Sequence, residues 1–211
     1  MKSTLKTGIL AALTASTTVL AQNYNQTGPF LLQVKSANNE TLDGQYLYAC
    51  HAGAAIEGLC LNGKAVPNML AAGTQFYWNY TTYQGNAAPT GPLVWNLPLS
   101  MDGSVTYASS PMSLQYYSFT NVAVPLFEPG YGSDAAQVGF DNDTIYMLEW
   151  FNDSTFVAGQ YPTQTSQQIQ NWHVCSTYVG TYYYAALTWV TYGAPRNPTC
   201  EPVTLQKVAL P

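Results

Sequence analysis

Carboxylates come first among the residues able to do chemistry, because paired acids carry most glycoside hydrolysis. Glu149 stands out. In Ile145-Tyr-Met-Leu-Glu-Trp-Phe151, strand alternation puts it on one face with Ile145, Met147 and Phe151. On a core or cleft face such a carboxyl would have a raised pKa, as a general acid needs; at a strand end it would simply meet solvent. Asp141 and Asp143 flank a glycosylation sequon and read as turn residues. Glu57 lies between two cysteines, and Glu128 precedes a Pro-Gly turn. No second acid is spaced to pair with Glu149. A glycosidase using Glu149 and an unidentified second carboxylate is therefore the alternative reading, not the leading one.

His51 and His173 are the only histidines, and no Gly-x-Ser-x-Gly elbow accompanies them. With two histidines and no CxxC, a zinc site is not expected. Phosphate loops and cofactor fingerprints are missing, so neither metal nor cofactor is expected. Seventeen Tyr and five Trp are the other lead. A ring face suits the C–H face of a pyranose, and the same rings also fill β-sandwich cores. Near the C-terminus Leu187 and Trp189 share one face, while Tyr182, Tyr184, Thr188 and Tyr192 share the other. If the second face is outward, Tyr182, Tyr184 and Tyr192 form a ligand-binding stripe.

These side chains would be held by strands. Short β-type runs recur at 30–35, 45–50, 74–80, 93–97, 113–119, 144–150, 172–179, 185–192 and 202–208, punctuated by Asn62-Gly63, Asp102-Gly103 and Glu128-Pro-Gly-Tyr-Gly132. Only 65–72 and 163–170 suggest a turn or two of helix. The pattern predicts an all-β fold, a single jelly-roll-like β-sandwich domain without linker or repeat. In the strand at 74–80 a glycan on Asn79 would face water together with Gln75 and Tyr77. Phe76, Trp78 and Tyr80 would then point to the core.

The N-terminus sets the compartment. Lys2 and Lys6 precede an uncharged apolar run from Gly8 to Leu20, and Val19-Leu20-Ala21 offers small residues for cleavage. Residues 1–21 read as a secretory signal peptide too short to span a bilayer, and 22–211 as the single domain. In an oxidising compartment Cys50, Cys60, Cys175 and Cys200 read as two disulfides with three possible connectivities. Cys50–Cys60 and Cys175–Cys200 are favoured because each pair brackets a short turn-rich segment. Five sequons, at Asn25, Asn39, Asn79, Asn142 and Asn152, predict N-glycosylation in a eukaryotic host, while Asn197-Pro-Thr199 is excluded by its proline.

After residue 21 only Lys35, Lys64, Arg196 and Lys207 oppose eleven acids. Nucleic acid and anionic membrane surfaces are poor partners for such a chain. Charged residues make up 8% of the sequence, so solubility rests on neutral polar side chains and sugars. The terminus Lys207-Val-Ala-Leu-Pro211 has no hydrophobic tail behind a small-residue site, and no lipid anchor is expected.

Gly44-Gln-Tyr-Leu-Tyr-Ala-Cys-His-Ala-Gly-Ala-Ala55 resembles a strand and turn of small secreted proteins of filamentous fungi. Trp172-His-Val-Cys175, Leu187-Thr-Trp189 and Pro198-Thr-Cys-Glu-Pro-Val-Thr-Leu205 are similar in the same way. The resemblance implies a secreted cell-surface or allergen-like protein of uncharacterised activity, with no catalytic residues to carry over. The leading expectation is a secreted, glycosylated, non-catalytic protein of the cell surface or wall. Its candidate partner is a wall or external polysaccharide.

Overall fold

Hairpins with tight turns organise the chain. In the computed structural model, which describes residues 25–67, 72–81, 88–130 and 134–211, fourteen strands form one continuous antiparallel sheet. The expected signal peptide, residues 1–21, lies outside the described residues, as do 68–71 of the expected helical stretch 65–72. The first hairpin joins β2 (Tyr46–Gly53) to β3 (Ile56–Gly63) through Ala55 at φ 59°. β5 (Gly91–Met101) and β6 (Ser104–Gln115) turn at Asp102-Gly103, with φ 51° and 81°. β8 (Gln137–Asp141) and β9 (Thr144–Asn152) turn at Asn142-Asp143, with φ 45° and 66°. Two successive left-handed residues match the right-handed twist of the flanking strands, and Asn, Asp and Gly tolerate that conformation best.

β1 (Asn25–Lys35) pairs with β4 (Phe76–Tyr80) along its first half and with β14 (Thr204–Ala209) along its second. β8 bonds to both β5 and β9, which closes a circuit β9–β14–β1–β4–β5–β8. The sheet therefore curls over itself in a sandwich-like manner, and one core fills the inside. Phe30, Leu32 and Val34 of β1 meet Phe76 and Trp78, as expected for β4, and Leu93 and Trp95 of β5. From the other part of the sheet come Phe127 of β7 (Val122–Phe127), Trp172 and Val174 of β11 (Trp172–Val179), and Leu187 and Trp189 of β12 (Tyr182–Val190).

β7 is buried at all six positions, because it has apolar cover on both faces. Ala123 and Phe127 face the main core. Val124 and Leu126 join Cys50, Cys60, Val179 and Ala186 in a second cluster, and Val122 packs with Cys175 and Val190 in a third. The disulfides Cys50–Cys60 and Cys175–Cys200 lie in these two back-face clusters. They span 10 and 25 residues, and closing loops of this size contributes about 3 kcal/mol each through the unfolded chain. The second ties β11 to the residue just before the two-residue strand β13 (Glu201–Pro202).

One local expectation is corrected. Residues 163–170 form no helical turn: β10 (Thr163–Ile169) is a strand paired with β9, Gln164 opposite Phe151 and Gln167 opposite Glu149. Thr163, Thr165, Ser166 and Ile169 are weak helix formers, and the neighbouring strand supplies the ladder bonds that decide the matter. Its exposure is nearly continuous, since among the described residues β10 pairs with β9 alone.

Candidate functional site

A cleft of about 370 Å³ opens on the back face of the β7–β12–β11 part of the sheet. Val122 and Val124 of β7 line it. Tyr117, Phe119 and Thr120, from the loop between β6 and β7, form one wall, while Thr177, Tyr178 and Asn197 form the other. Tyr117 and Phe119 stack with centroids 5.4 Å apart and planes 25° from parallel. Phe119 is 77% exposed, and the Tyr117 hydroxyl donates to Gln115 Oε1 at 2.8 Å. No lining residue carries a charge.

Asn121 fixes the first wall. Only 4% exposed, it donates through Nδ2 to the carbonyls of Tyr192 and Ala194, and its Oδ1 accepts from the Arg196 amide at 3.0 Å. Its backbone carbonyl accepts from the Thr191 amide and hydroxyl. The loop bearing Tyr117 and Phe119 is thereby bound to the segment that follows β12. On the other wall Asn197 donates to the Ser176 carbonyl at 3.1 Å, and its Oδ1 accepts from the amide and hydroxyl of Thr199. The Thr199 hydroxyl in turn accepts from the Ser176 amide. The Cys175–Cys200 bridge joins these same two segments. Rings held this way lose little freedom when a ligand stacks on them.

Thr177, which lines the cleft, stands opposite Tyr184 in the β11–β12 register, but none of the tyrosines named from the sequence, Tyr182, Tyr184 and Tyr192, lines the cleft itself. Tyr182 and Tyr184 have ring centroids 6.4 Å apart, and the Tyr182 ring meets the His51 ring edge-on at 5.1 Å. The Tyr184 hydroxyl donates to the His51 carbonyl at 3.1 Å, and its ring packs against the second cluster. The stripe stops there. Further along the same face Ala186, Thr188 and Val190 are buried, with Thr188 donating to the His173 carbonyl. Tyr192 is exposed beyond the strand end, beside the carbonyl that Asn121 binds, and stands apart from the other two. Gly180, in the β11–β12 turn at φ 60°, packs so closely that an added Cβ would lie 2.1 Å from the Ala52 carbonyl. That contact docks the tyrosine hairpin onto β2.

Beside Tyr184, His51 Nδ1 lies 3.6 Å from Glu57 Oε1. Burial raises the Glu57 carboxyl above its ordinary range, and the nearby imidazole partly offsets this. Burial also raises the Tyr48 hydroxyl, with Tyr184 and Glu57 adding to the effect. Glu149 lies elsewhere, half-buried on β9 with Gln167 opposite it, and does not line this cleft. His173 shares a hydrogen bond between Nδ1 and the Asn171 carbonyl. Among the described residues no group of three or more His, Cys, Asp and Glu could hold a metal ion, and no helix is long and apolar enough to cross a membrane.

A family model, Domain of unknown function (DUF7907), matches residues 27–209, from near the start of β1 to the end of β14. The chain belongs to the DUF7907 family. No curated protein and no solved structure matches it. The cleft, with both disulfides beneath its back-face clusters, lies within the DUF7907 domain.

Four of the five sequon asparagines fall within the matched residues, and Asn25 just before them. Asn25 is exposed opposite Tyr80. Asn39 Oδ1 accepts from the Thr41 amide, and Asn79 Oδ1 accepts from Gln26 Nε2 at 2.6 Å. Asn142 sits in the β8–β9 turn, donating to Asp141 Oδ1. Asn152 ends β9 and caps the short turn Asp153–Thr155.

Proposed function

We propose that this DUF7907 protein is a secreted, glycosylated, non-catalytic β-domain that binds neutral polysaccharide at the Tyr117–Phe119–Tyr178 cleft. It would act at the wall or on external sugars of a fungal-type cell. The observation that carries the reading is a stacked, exposed ring pair held in place by the buried Asn121. The cleft has room for about one or two sugar rings, a size usual for specific ligand sites. Thr120, Thr177 and Asn197 put polar groups beside the rings, and the uncharged lining favours neutral over anionic sugars. Two disulfides fit an oxidising compartment.

The test is a screen of the full chain against neutral and anionic polysaccharides, with Phe119→Ala and Phe156→Ala compared. Phe119→Ala should lower affinity for a bound neutral glycan about tenfold, the ordinary effect of truncating an aromatic anchor. Phe156→Ala removes a ring that is also exposed and should leave binding unchanged. Equal loss in both variants, or retained binding in both, would overturn the assignment of the cleft.

A further inference from the structure

We propose that the N-linked glycan of Asn152 folds back along β9 onto the indole of Trp150, so that this sugar covers the exposed face of that ring. The inference rests on the glycosylated reading above and adds where the glycan lies. In a strand, residues two apart share a face about 7 Å from each other, and Trp150 and Asn152 are the last such pair of β9. The first sugar ring of a glycan on Asn152 is therefore delivered to the ring face of Trp150, which is 48% exposed.

The same spacing, an aromatic residue two before the asparagine, occurs at Tyr77 with Asn79 and at Phe140 with Asn142. Phe140 is already covered. Phe30 and Trp78 pack against it edge-on, and the Lys207 ammonium lies 4.9 Å over its ring. Tyr77 is half-buried. Trp150 is the ring of the three with an open face.

The asparagine is also set for the bond. Its Oδ1 accepts from the Ser154 amide at 3.1 Å and from the Ser154 hydroxyl at 2.6 Å, which holds the side chain and leaves Nδ2 to carry the sugar. Near it the chain also exposes Phe156, Val157 and Tyr161, while Phe151 faces the other side of β9. From 144 to 170 the chain has Glu149 and Asp153 and no cation, so an anionic surface is a poor occupant. A glycan needs no such charge, since C–H groups stack on the ring face.

The test uses the full chain secreted from a eukaryotic host that attaches N-glycans. Peptide mass spectrometry reads occupancy at Asn152, and hydroxyl-radical footprinting reads oxidation of Trp150 in the separated glycoform and in Asn152→Gln. Asn152 should be occupied, with Trp150 oxidised about twofold more slowly in the glycoform because one ring face is covered. In thermal melts the glycan should raise Tm by about 2–4 °C, and Trp150→Ala should remove that gain. Occupied Asn152 with unchanged Trp150 oxidation and additive Tm shifts would overturn the stacking alone. Empty Asn152 would overturn both the stacking and the reading of this sequon as glycosylated.

Discussion

Two of the regions that expose aromatic rings are built differently. Tyr117 and Phe119 stand on a loop whose Asn121 is buried and bonded through side chain and carbonyl to residues 191–196. The third apolar cluster and its disulfide lie beside that loop. Trp150, Phe151, Phe156 and Tyr161 stand on the arm made by β9 and β10, where one strand is an edge and its turn is held by local bonds of Asn152 and Thr155. Both regions show apolar rings to solvent, yet only the first holds them in fixed mutual geometry around a cleft. Exposure alone therefore does not mark a recognition site. Rigid placement does, because a ligand then pays less ordering entropy.

The strongest way to break this comparison is to cut the anchor in each region. Asn121→Ala should cost about 2 kcal/mol, since it removes a buried side chain and its three part-buried hydrogen bonds to the backbone of residues 192, 194 and 196. It should also abolish glycan binding. Thr155→Ala removes a hydroxyl that donates to the Asn152 carbonyl and accepts from the Thr163 amide, both exposed. Its cost should stay within about 1 kcal/mol, because water replaces those partners. Urea unfolding of both variants measures the difference. Equal costs would mean that the two regions are held alike.

The contrast also explains what was legible in the sequence. β11 begins and ends where its Val, Thr and aromatic run does, and both disulfides pair as their short brackets suggest. Strand alternation put Phe76 and Trp78 in the core, as found. β3 was hidden by the turn-like residues 52–55, which in fact belong to the tight hairpin feeding it. β7 was hidden because a continuously buried strand shows no alternation, and Pro125 interrupts its apolar run. Parity gave Tyr182 and Tyr184 one face, but the cover over Ala186 and Thr188 comes from distant segments that parity does not see. Asn121 escaped for the same reason, since its side-chain partners lie 71 to 75 residues away. Its position just before the apolar run 122–127 was its only local signal.

The carboxylates sharpen the comparison with smaller effects. Glu57 stands by Tyr48, His51 and Tyr184, where burial raises its pKa despite the nearby imidazole. A carboxyl with a raised folded pKa favours the folded state while protonated. That contribution is present below its unfolded pKa, about 4.5, and is lost as pH rises through the folded value. Glu57→Gln should therefore gain in Tm relative to the parent as pH rises from about 4 to about 7. A Tm difference that does not change with pH would show that burial does not govern this carboxyl.

Glu149 provides the smallest effect and the sharpest control. It sits on the arm, half-buried, with Gln167 opposite and no acid in its strand register. A general acid of a glycosidase needs a partner carboxylate across a cleft, at roughly 5 to 9 Å depending on the stereochemical course. Glu149 does not line the Tyr117–Phe119–Tyr178 cleft, so its neutral isostere should change nothing that depends on the rings there. Glu149→Gln is expected to alter stability by less than about 0.5 kcal/mol, as surface substitutions do, and to leave polysaccharide binding intact. Calorimetry and the same pull-down used for Phe119→Ala measure both. Loss of a measurable glycan hydrolysis in this variant would move the chemistry from the cleft to the arm and restore Glu149 as the acid of an enzyme.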